Sequence, residues 1–145
     1  MYKNVLIATD GSSLAGRAVE HGTNLAKALH AHVVLLTVTE RFHVFALEAD
    51  QVEETPSSFR EHMRKQAERT LSESSDIARN LGVDATTVHV EDDTPYQAII
   101  RTAEDKRCDV IVMASHGRGG VSALLLGSET MKVLAHSKIP VLVVR

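Results

Sequence analysis

The segment from Ala114 to Thr130 combines residue types that suit the binding of a phosphate group. Ala114-Ser115-His116-Gly117 is separated by nine residues from Gly127-Ser128. Glycines permit close approach of the backbone to a ligand, and Gly127-Ser128 stands where a helix is predicted to start, so its free N–H groups would attract an anion. Arg118 adds a guanidinium whose geometry matches phosphate. This pattern predicts a phosphate-binding loop; the alternative is a flexible loop followed by an ordinary helix cap.

Two further side chains could take part in chemistry near this loop. Asp10 directly follows an apolar run, and its carboxylate could accept hydrogen bonds from ribose hydroxyls or help to hold hydrated Mg²⁺. It could equally be a turn residue that caps the next helix. His116 could face a phosphate or act as an acid–base group. A loop histidine with no evident carboxylate partner is more often structural or exposed to solvent.

Several familiar active-site patterns are missing from the sequence. It contains no G-x-x-x-x-G-K-[ST] segment, and Asp10-Gly11 follows the first strand in place of G-x-G-x-x-G. Met113 replaces the first glycine of G-x-S-x-G, which disfavours a serine hydrolase. His30 and His32 have no third ligand nearby in sequence, so they do not indicate a metal site. We therefore expect no metal ion that is held by protein side chains alone. We assign a catalytic role to no residue.

The composition is that of a globular protein. The chain has 145 residues, of which 43% are apolar and 24% charged, and its net charge is −3. These values disfavour a disordered chain and a nucleic-acid binder that relies on positive charge. Cys108 is the single cysteine, and no apolar run approaches the roughly 20 residues needed to span a bilayer. We expect a cytoplasmic protein that is not embedded in a membrane, with residues 1–145 forming one domain.

Apolar runs alternate with helical patterns along the whole chain. Short continuous apolar runs are typical of strands that are buried on both faces of a parallel sheet. The predicted strands are Val5–Ala8, Val33–Val38, Ala85–Val90, Val110–Met113 and Val141–Val144, and the later helices are Ser58–Leu81, a helix starting at Thr94-Pro95, and Ser128–His136. This order predicts an α/β fold: a five-stranded, doubly wound parallel sheet of order 3-2-1-4-5 with helices on both faces. Ligands bind such sheets where the winding reverses, beyond strands one and four.

Three other segments carry expectations. The long connection of residues 40–57 contains the apolar stretch 41–47, which more often folds over its own core than forms a partner surface. Glu91-Asp92-Asp93 is most simply a solvated turn before a helix. The last strand is apolar and is expected at the sheet edge, where pairing with a second copy would form a dimer. The residues that would pair are Val141, Leu142, Val143 and Val144.

These motifs together resemble the universal stress protein family. The loop and Gly127-Ser128 resemble its signature G-x-x-G-x₉-G-[ST], and the segment from Val5 to Ser12 looks like its first strand and acidic turn. The resemblance covers essentially the whole chain and implies a Rossmann-like fold of the adenine nucleotide α-hydrolase type. Ala114 stands where the signature has its first glycine. Alanine would weaken ligand binding there if that backbone had to be left-handed.

The resemblance also implies a ligand and the residues that hold it. It implies ATP, expected with Mg²⁺ held through the phosphates, where Asp10 could help to hold the ion, and a homodimer formed through the last strand. Asp10 would meet the ribose, whereas Ala8, Thr9, Val38, Met113 and Ala114 would lie near the adenine. The phosphate contacts would come from Gly117, Arg118, Gly127, Ser128, Glu129 and Thr130.

Three functional hypotheses follow. The first is a cytoplasmic ATP-binding regulatory protein whose nucleotide occupancy alters its dimer or its long connection. The second is a slow ATPase or autophosphorylating enzyme, disfavoured because the loop lacks a lysine and an evident general base. The third is an interaction protein without nucleotide that regulates a partner such as a transporter, for which Ala114 is the only sequence support.

Overall fold

The computed structural model describes residues 1–43, 55–117 and 125–145. Strands and helices alternate along the chain as the sequence predicts. They are β1 (Asn4–Ala8), α1 (Ser13–Leu29), β2 (His32–Thr39), α2 (Pro56–Asn80), β3 (Ala85–Glu91), α3 (Pro95–Asp105), β4 (Val110–Ala114), α4 (Ser128–His136) and β5 (Val141–Val144). The strands form a parallel sheet of order β3-β2-β1-β4-β5, which confirms the predicted fold. Within the described ranges, no helix is both long and apolar enough to cross a membrane.

The sheet is buried on both faces, which explains why its central strands are apolar without alternation. Along β1, Val5 and Ile7 belong to the apolar cluster on the face covered by α1 and α2. Leu6, between them, belongs to the cluster on the opposite face, which includes Ile99 of α3 and Val133 of α4. The side chains of Val5, Leu6 and Ile7 are fully buried. Burial of the central strands therefore fixes the positions of the residues that follow their carboxyl ends.

Helix α1 packs very closely on the sheet at Gly22. A Cβ atom at this position would lie 2.7 Å from Ile7 Cδ1 and 3.3 Å from Val112 Cβ. Ser12 begins the helix, because its side chain accepts a hydrogen bond from the Ala15 amide at 3.2 Å. The segment between β1 and α1 is four residues long. The Thr9 amide holds its first residue by a hydrogen bond to the Leu36 carbonyl, and the helix cap holds its last residue, Ser12.

Helix α2 begins earlier than the sequence pattern indicates. We predicted Ser58–Leu81, whereas the helix spans Pro56–Asn80. Thr55 and Ser58 form a reciprocal capping box, and Pro56 occupies the first helical position. Gly82 follows the helix with a φ of +82°, as expected of a glycine at a helix end.

The acidic turn 91–93 makes contacts with other segments, whereas we expected a turn exposed to solvent. The Asp93 carboxylate accepts a hydrogen bond from the Arg41 amide at 3.0 Å and contacts His43 Nε2 at 2.9 Å. The His43 hydrogen bond, followed by the Arg41 amide, lowers the pKa of Asp93 below its ordinary value. Glu91 pairs with Arg60 at 3.4 Å. The turn therefore ties the start of the long connection and α2 to the end of β3.

The described part of the long connection packs on the chain's own helix. The Phe42 ring lies 5.2 Å from the Phe59 ring of α2, measured between centroids. This contact agrees with the expectation that the connection folds over its own core. Residues 44–54, which include the remainder of the apolar stretch, lie outside the described residues.

Candidate functional site

A cavity of about 290 Å³ lies at the carboxyl ends of β1, β2 and β4. Eight of the residues predicted from the sequence line it: Ala8, Thr9, Asp10, Val38, Met113, Ala114, Gly117 and Glu129. Sequence reasoning did not consider four other lining residues as ligand contacts: Ala15, Leu36, Pro95 and Ile99. The last lining residue, His116, was a candidate to face a phosphate, although a structural or exposed position was favoured. The cavity is at the point where the winding of the sheet reverses, which is where such folds bind ligands.

Asp10 spans the gap between β1 and the loop after β4. One carboxylate oxygen, Oδ1, accepts a hydrogen bond from the Ser12 amide at 2.9 Å. The other oxygen, Oδ2, lies so near Gly117 that a Cβ atom at position 117 would overlap it. Asp10 is therefore a turn residue whose side chain also lies at the cavity. Ser12, and not Asp10, caps α1.

Gly127 brings the start of α4 against the end of β4. Its amide donates to the Ser115 carbonyl at 2.6 Å. A Cβ atom there would lie 3.1 Å from His116 Cα and 3.3 Å from the Ser115 carbonyl oxygen. Its φ is −62°, so the position does not need glycine for a left-handed backbone. Glycine is needed because two backbone segments touch, a reason that the sequence motif alone does not reveal.

The first turn of α4 offers unpaired backbone donors beside the cavity. Within the described ranges, the amides of Ser128, Glu129 and Thr130 have no hydrogen-bond acceptor, and Gly127 supplies no side-chain cap. The Thr130 hydroxyl donates to the Ala114 carbonyl at 2.9 Å, which fixes this turn against β4. Such a helix terminus attracts anions through its N–H groups and its dipole.

Not every predicted residue reaches the cavity wall. Gly127, Ser128 and Thr130 lie next to Glu129 in sequence but are not among the lining residues, and their place is the α4 turn beside the cavity. Arg118 lies outside the described residues. His116, for which we favoured a structural or exposed position, does line the cavity, and its Nδ1 is 3.2 Å from the Ser115 hydroxyl.

Ala114 does not need a left-handed backbone. It is the last residue of β4, pairs with Val144 and is buried. Among the described residues a positive φ occurs at His30, Arg107, Gly11 and Gly82, and not at Ala114. The methyl group of alanine therefore sits on ordinary strand backbone, and the condition under which it would weaken ligand binding is not met.

A buried thiol lies near the other end of β4. Cys108 precedes that strand and is 5% exposed. Burial, with a smaller contribution from Asp109, raises the pKa of its thiol from the ordinary 9.0 to about 11. Nowhere in residues 1–43, 55–117 and 125–145 do three His, Cys, Asp or Glu side chains form a group that could hold a metal ion.

We predict that Cys108 is unreactive in the folded chain. Because the thiolate is the reactive form, native protein at pH 8 should react with iodoacetamide far more slowly than protein unfolded in urea. The raised pKa also means that the stability contributed by the neutral thiol is complete below pH 9.0 and is lost as the pH rises towards about 11. Alkylation rates measured by mass spectrometry test this; equal rates for both states would contradict it.

The fold and the position of the cavity define a doubly wound α/β protein with a ligand cavity at its topological switch point. The chain belongs to the universal stress protein family, whose sequence profile matches residues 1–145. Universal stress protein MJ0531 from Methanocaldococcus jannaschii is 32% identical over 145 residues, which cover 100% of this chain and 83% of that protein.

Solved structures agree with this assignment. The structure of protein MJ0577, also from Methanocaldococcus jannaschii, has a TM-score of 0.81 at 30% identity and covers 99% of this chain and 96% of that chain. The structure of a universal stress protein in complex with cAMP has a TM-score of 0.75 at 25% identity, and the match covers 99% of this chain and 97% of that chain. The fold of this chain is thus shared with a protein that holds an adenine nucleotide.

Proposed function

We propose that this chain is a cytoplasmic ATP-binding regulatory protein, in which residues 1–145 act as one domain and ATP is taken up with Mg²⁺. The observation that carries the proposal is the cavity at the switch point beside the first turn of α4, where three amides have no acceptor within the described ranges. The cAMP complex of a related protein supports an adenine nucleotide as the ligand.

The proposal assigns a role to each part of the cavity. Ala8, Val38 and Met113 supply an apolar surface for the adenine, with Thr9 and Ala114 beside them. Asp10 accepts from the ribose hydroxyls. The amides of Ser128, Glu129 and Thr130 donate to the phosphates, together with Gly117 and Arg118. Gly127, whose own amide is bonded to the Ser115 carbonyl, holds this turn against the end of β4. Backbone amides at a helix terminus recognise a phosphate without needing a lysine in the loop.

The proposal includes a homodimer formed through β5. Among the residues that the structure describes, this strand pairs with β4 alone, so the N–H and C=O groups of its other edge have no strand partner there. Leu142 is 40% exposed on it. Pairing with the β5 strand of a second copy, from Val141 to Val144, would satisfy that edge and cover the leucine.

A calorimetric titration tests the nucleotide proposal. Nucleotide-free protein is titrated with ATP and Mg²⁺, and with AMP and cAMP in parallel. We expect saturable binding of ATP near one per chain with micromolar affinity, about −8 kcal/mol. Heat changes indistinguishable from dilution across the panel, from protein shown to be folded by circular dichroism, would overturn the proposal.

Ala114→Gly separates this proposal from a nucleotide-free interaction protein. Since Ala114 has ordinary strand backbone, we expect the variant to bind ATP as the wild type does. We expect the glycine to lower the free energy of unfolding by about 0.5–1 kcal/mol. Parallel titration and urea unfolding measure both effects. A wild type that fails to bind, with binding restored by glycine, would show that the alanine has removed the function.

A further inference from the structure

The side chain of Glu129 makes a contact that the family signature does not describe. Glu129 is the second residue of α4, yet its carboxylate leaves that helix and accepts a hydrogen bond from the Tyr96 amide of α3 through Oε2 at 2.8 Å. Its other oxygen, Oε1, is 3.4 Å from Lys132 Nζ. Glu129 is also one of the residues that line the cavity. Glu129 therefore joins two helices at the wall of the proposed nucleotide site.

The first turn of α3 explains why this carboxylate is held there. Thr94 precedes the helix but makes no side-chain capping bond, and Pro95 has no N–H to donate. The amides of Gln97 and Ala98 donate to the Thr94 carbonyl at 3.1 and 3.2 Å. The Tyr96 amide is the remaining donor of this turn, and Glu129 accepts from it. The chain thus fills the anion position at the α3 terminus with its own carboxylate.

Acidic side chains are among the described lining residues of the cavity. Its described lining residues include two carboxylates, Asp10 and Glu129, one imidazole, His116, and no lysine or arginine. Lys132, whose Nζ is 3.4 Å from Glu129 Oε1, is half exposed and is not among the lining residues. Solvent and salt weaken its compensation of the carboxylate. A nucleotide with a high negative charge would meet repulsion from Glu129 as it approaches the α4 amides.

We propose that Glu129 is a specificity-determining residue of the cavity, which selects adenine nucleotides of low net phosphate charge: ATP as its Mg²⁺ complex in preference to metal-free ATP. This inference rests on the proposed function. Because the divalent cation neutralises part of the phosphate charge, Glu129 repels the Mg²⁺ complex of ATP less than it repels the metal-free ATP tetra-anion. The α4 amides attract phosphate, and Glu129 limits which charge state is accepted.

The test is the affinity for nucleotides of increasing charge. Wild-type protein and Glu129→Gln are titrated at pH 8 with cAMP, AMP, ADP and ATP in chelator, and with ATP and Mg²⁺. Glutamine keeps an acceptor oxygen for the Tyr96 amide and removes only the charge. For the wild type we expect metal-free ATP to bind about tenfold more weakly than its Mg²⁺ complex. In the variant, metal-free ATP should gain affinity until the two differ by about threefold or less.

Two further variants separate charge from structure. Glu104→Gln makes the same charge change at an exposed residue near the end of α3 and should leave both affinities unchanged. Glu129→Ala removes the bond to Tyr96 as well, so it should lower the melting temperature, whereas Glu129→Gln should retain it. An equal response of Glu104→Gln would mean that net charge alone is responsible, and would overturn the inference.

The outcomes also separate this inference from the proposed function. Nucleotide binding with the same ratio of metal-free to Mg²⁺-bound affinity in wild type and Glu129→Gln would overturn the role of Glu129 and leave the proposed function intact. Wild-type protein that binds no nucleotide would overturn both. A ratio that falls in Glu129→Gln and not in Glu104→Gln would support the inference.

Discussion

Replacing Gly127 with valine is expected to abolish ATP binding while the chain keeps its parallel sheet. A Cβ atom at this position would already lie 3.1 Å from His116 Cα, a backbone atom that cannot rotate away. The branched side chain would push the start of α4 from the end of β4 and move the amides of Ser128 and Glu129. Loss of several hydrogen bonds to phosphate, each about 1.5–3 kcal/mol when the partner is charged, predicts at least about a hundredfold weaker binding.

The matched control is a glycine with free space around it. At Gly16 in α1, an added Cβ atom would meet nothing within 4 Å. Gly16→Ala should therefore bind ATP as the wild type does and gain about 0.5–1 kcal/mol in stability, since alanine favours a helix. Titration and circular dichroism on both variants measure these effects. Gly127→Val with wild-type affinity would remove the α4 turn from the proposed phosphate site.

The strand order could be predicted because it depends on features that repeat along the chain. Short apolar runs such as Val5–Ala8 indicate strands buried on both faces, and the longer helical patterns between them require parallel crossovers. Once the order was set, the ends of β1 and β4 had to meet at one edge. Asp10 and Gly117, which are far apart in sequence, accordingly lie in contact across the cavity.

The parts that were not predicted depend on contacts between distant elements. The bond from the Tyr96 amide to Glu129 joins residues 33 positions apart, and no local pattern indicates which helix will supply a missing cap. Pro95 and Ile99 line the cavity because α3 packs beside α4 on one face of the sheet. The early start of α2 had a local signal, Thr55-Pro56 followed by Ser58, that the apparent connection of residues 40–57 obscured.

Replacing Val143 with proline is expected to dissociate the proposed dimer without disturbing the fold. The amide of Ile111 in β4 donates to the Pro140 carbonyl at 2.9 Å, and the amide of Ser115, just after β4, donates to the Val144 carbonyl at 2.8 Å. Because backbone groups alternate in direction along a strand, the amide of Val143 points to the open edge. Proline removes that outward donor and leaves the inner ladder intact, which is where edge strands tolerate it.

Sedimentation velocity of Val143→Pro and wild type over a range of concentrations measures the effect, with Val143→Thr as control because threonine keeps both the amide and the preference for strands. A Val143→Pro protein with the mass of a dimer and a native spectrum would place the interface elsewhere. The same series of concentrations with ATP present measures whether nucleotide binding and dimerisation are linked. Ala114, at the cavity, pairs with Val144 of β5. A nucleotide that binds monomer and dimer unequally must shift the dimerisation constant by the same factor.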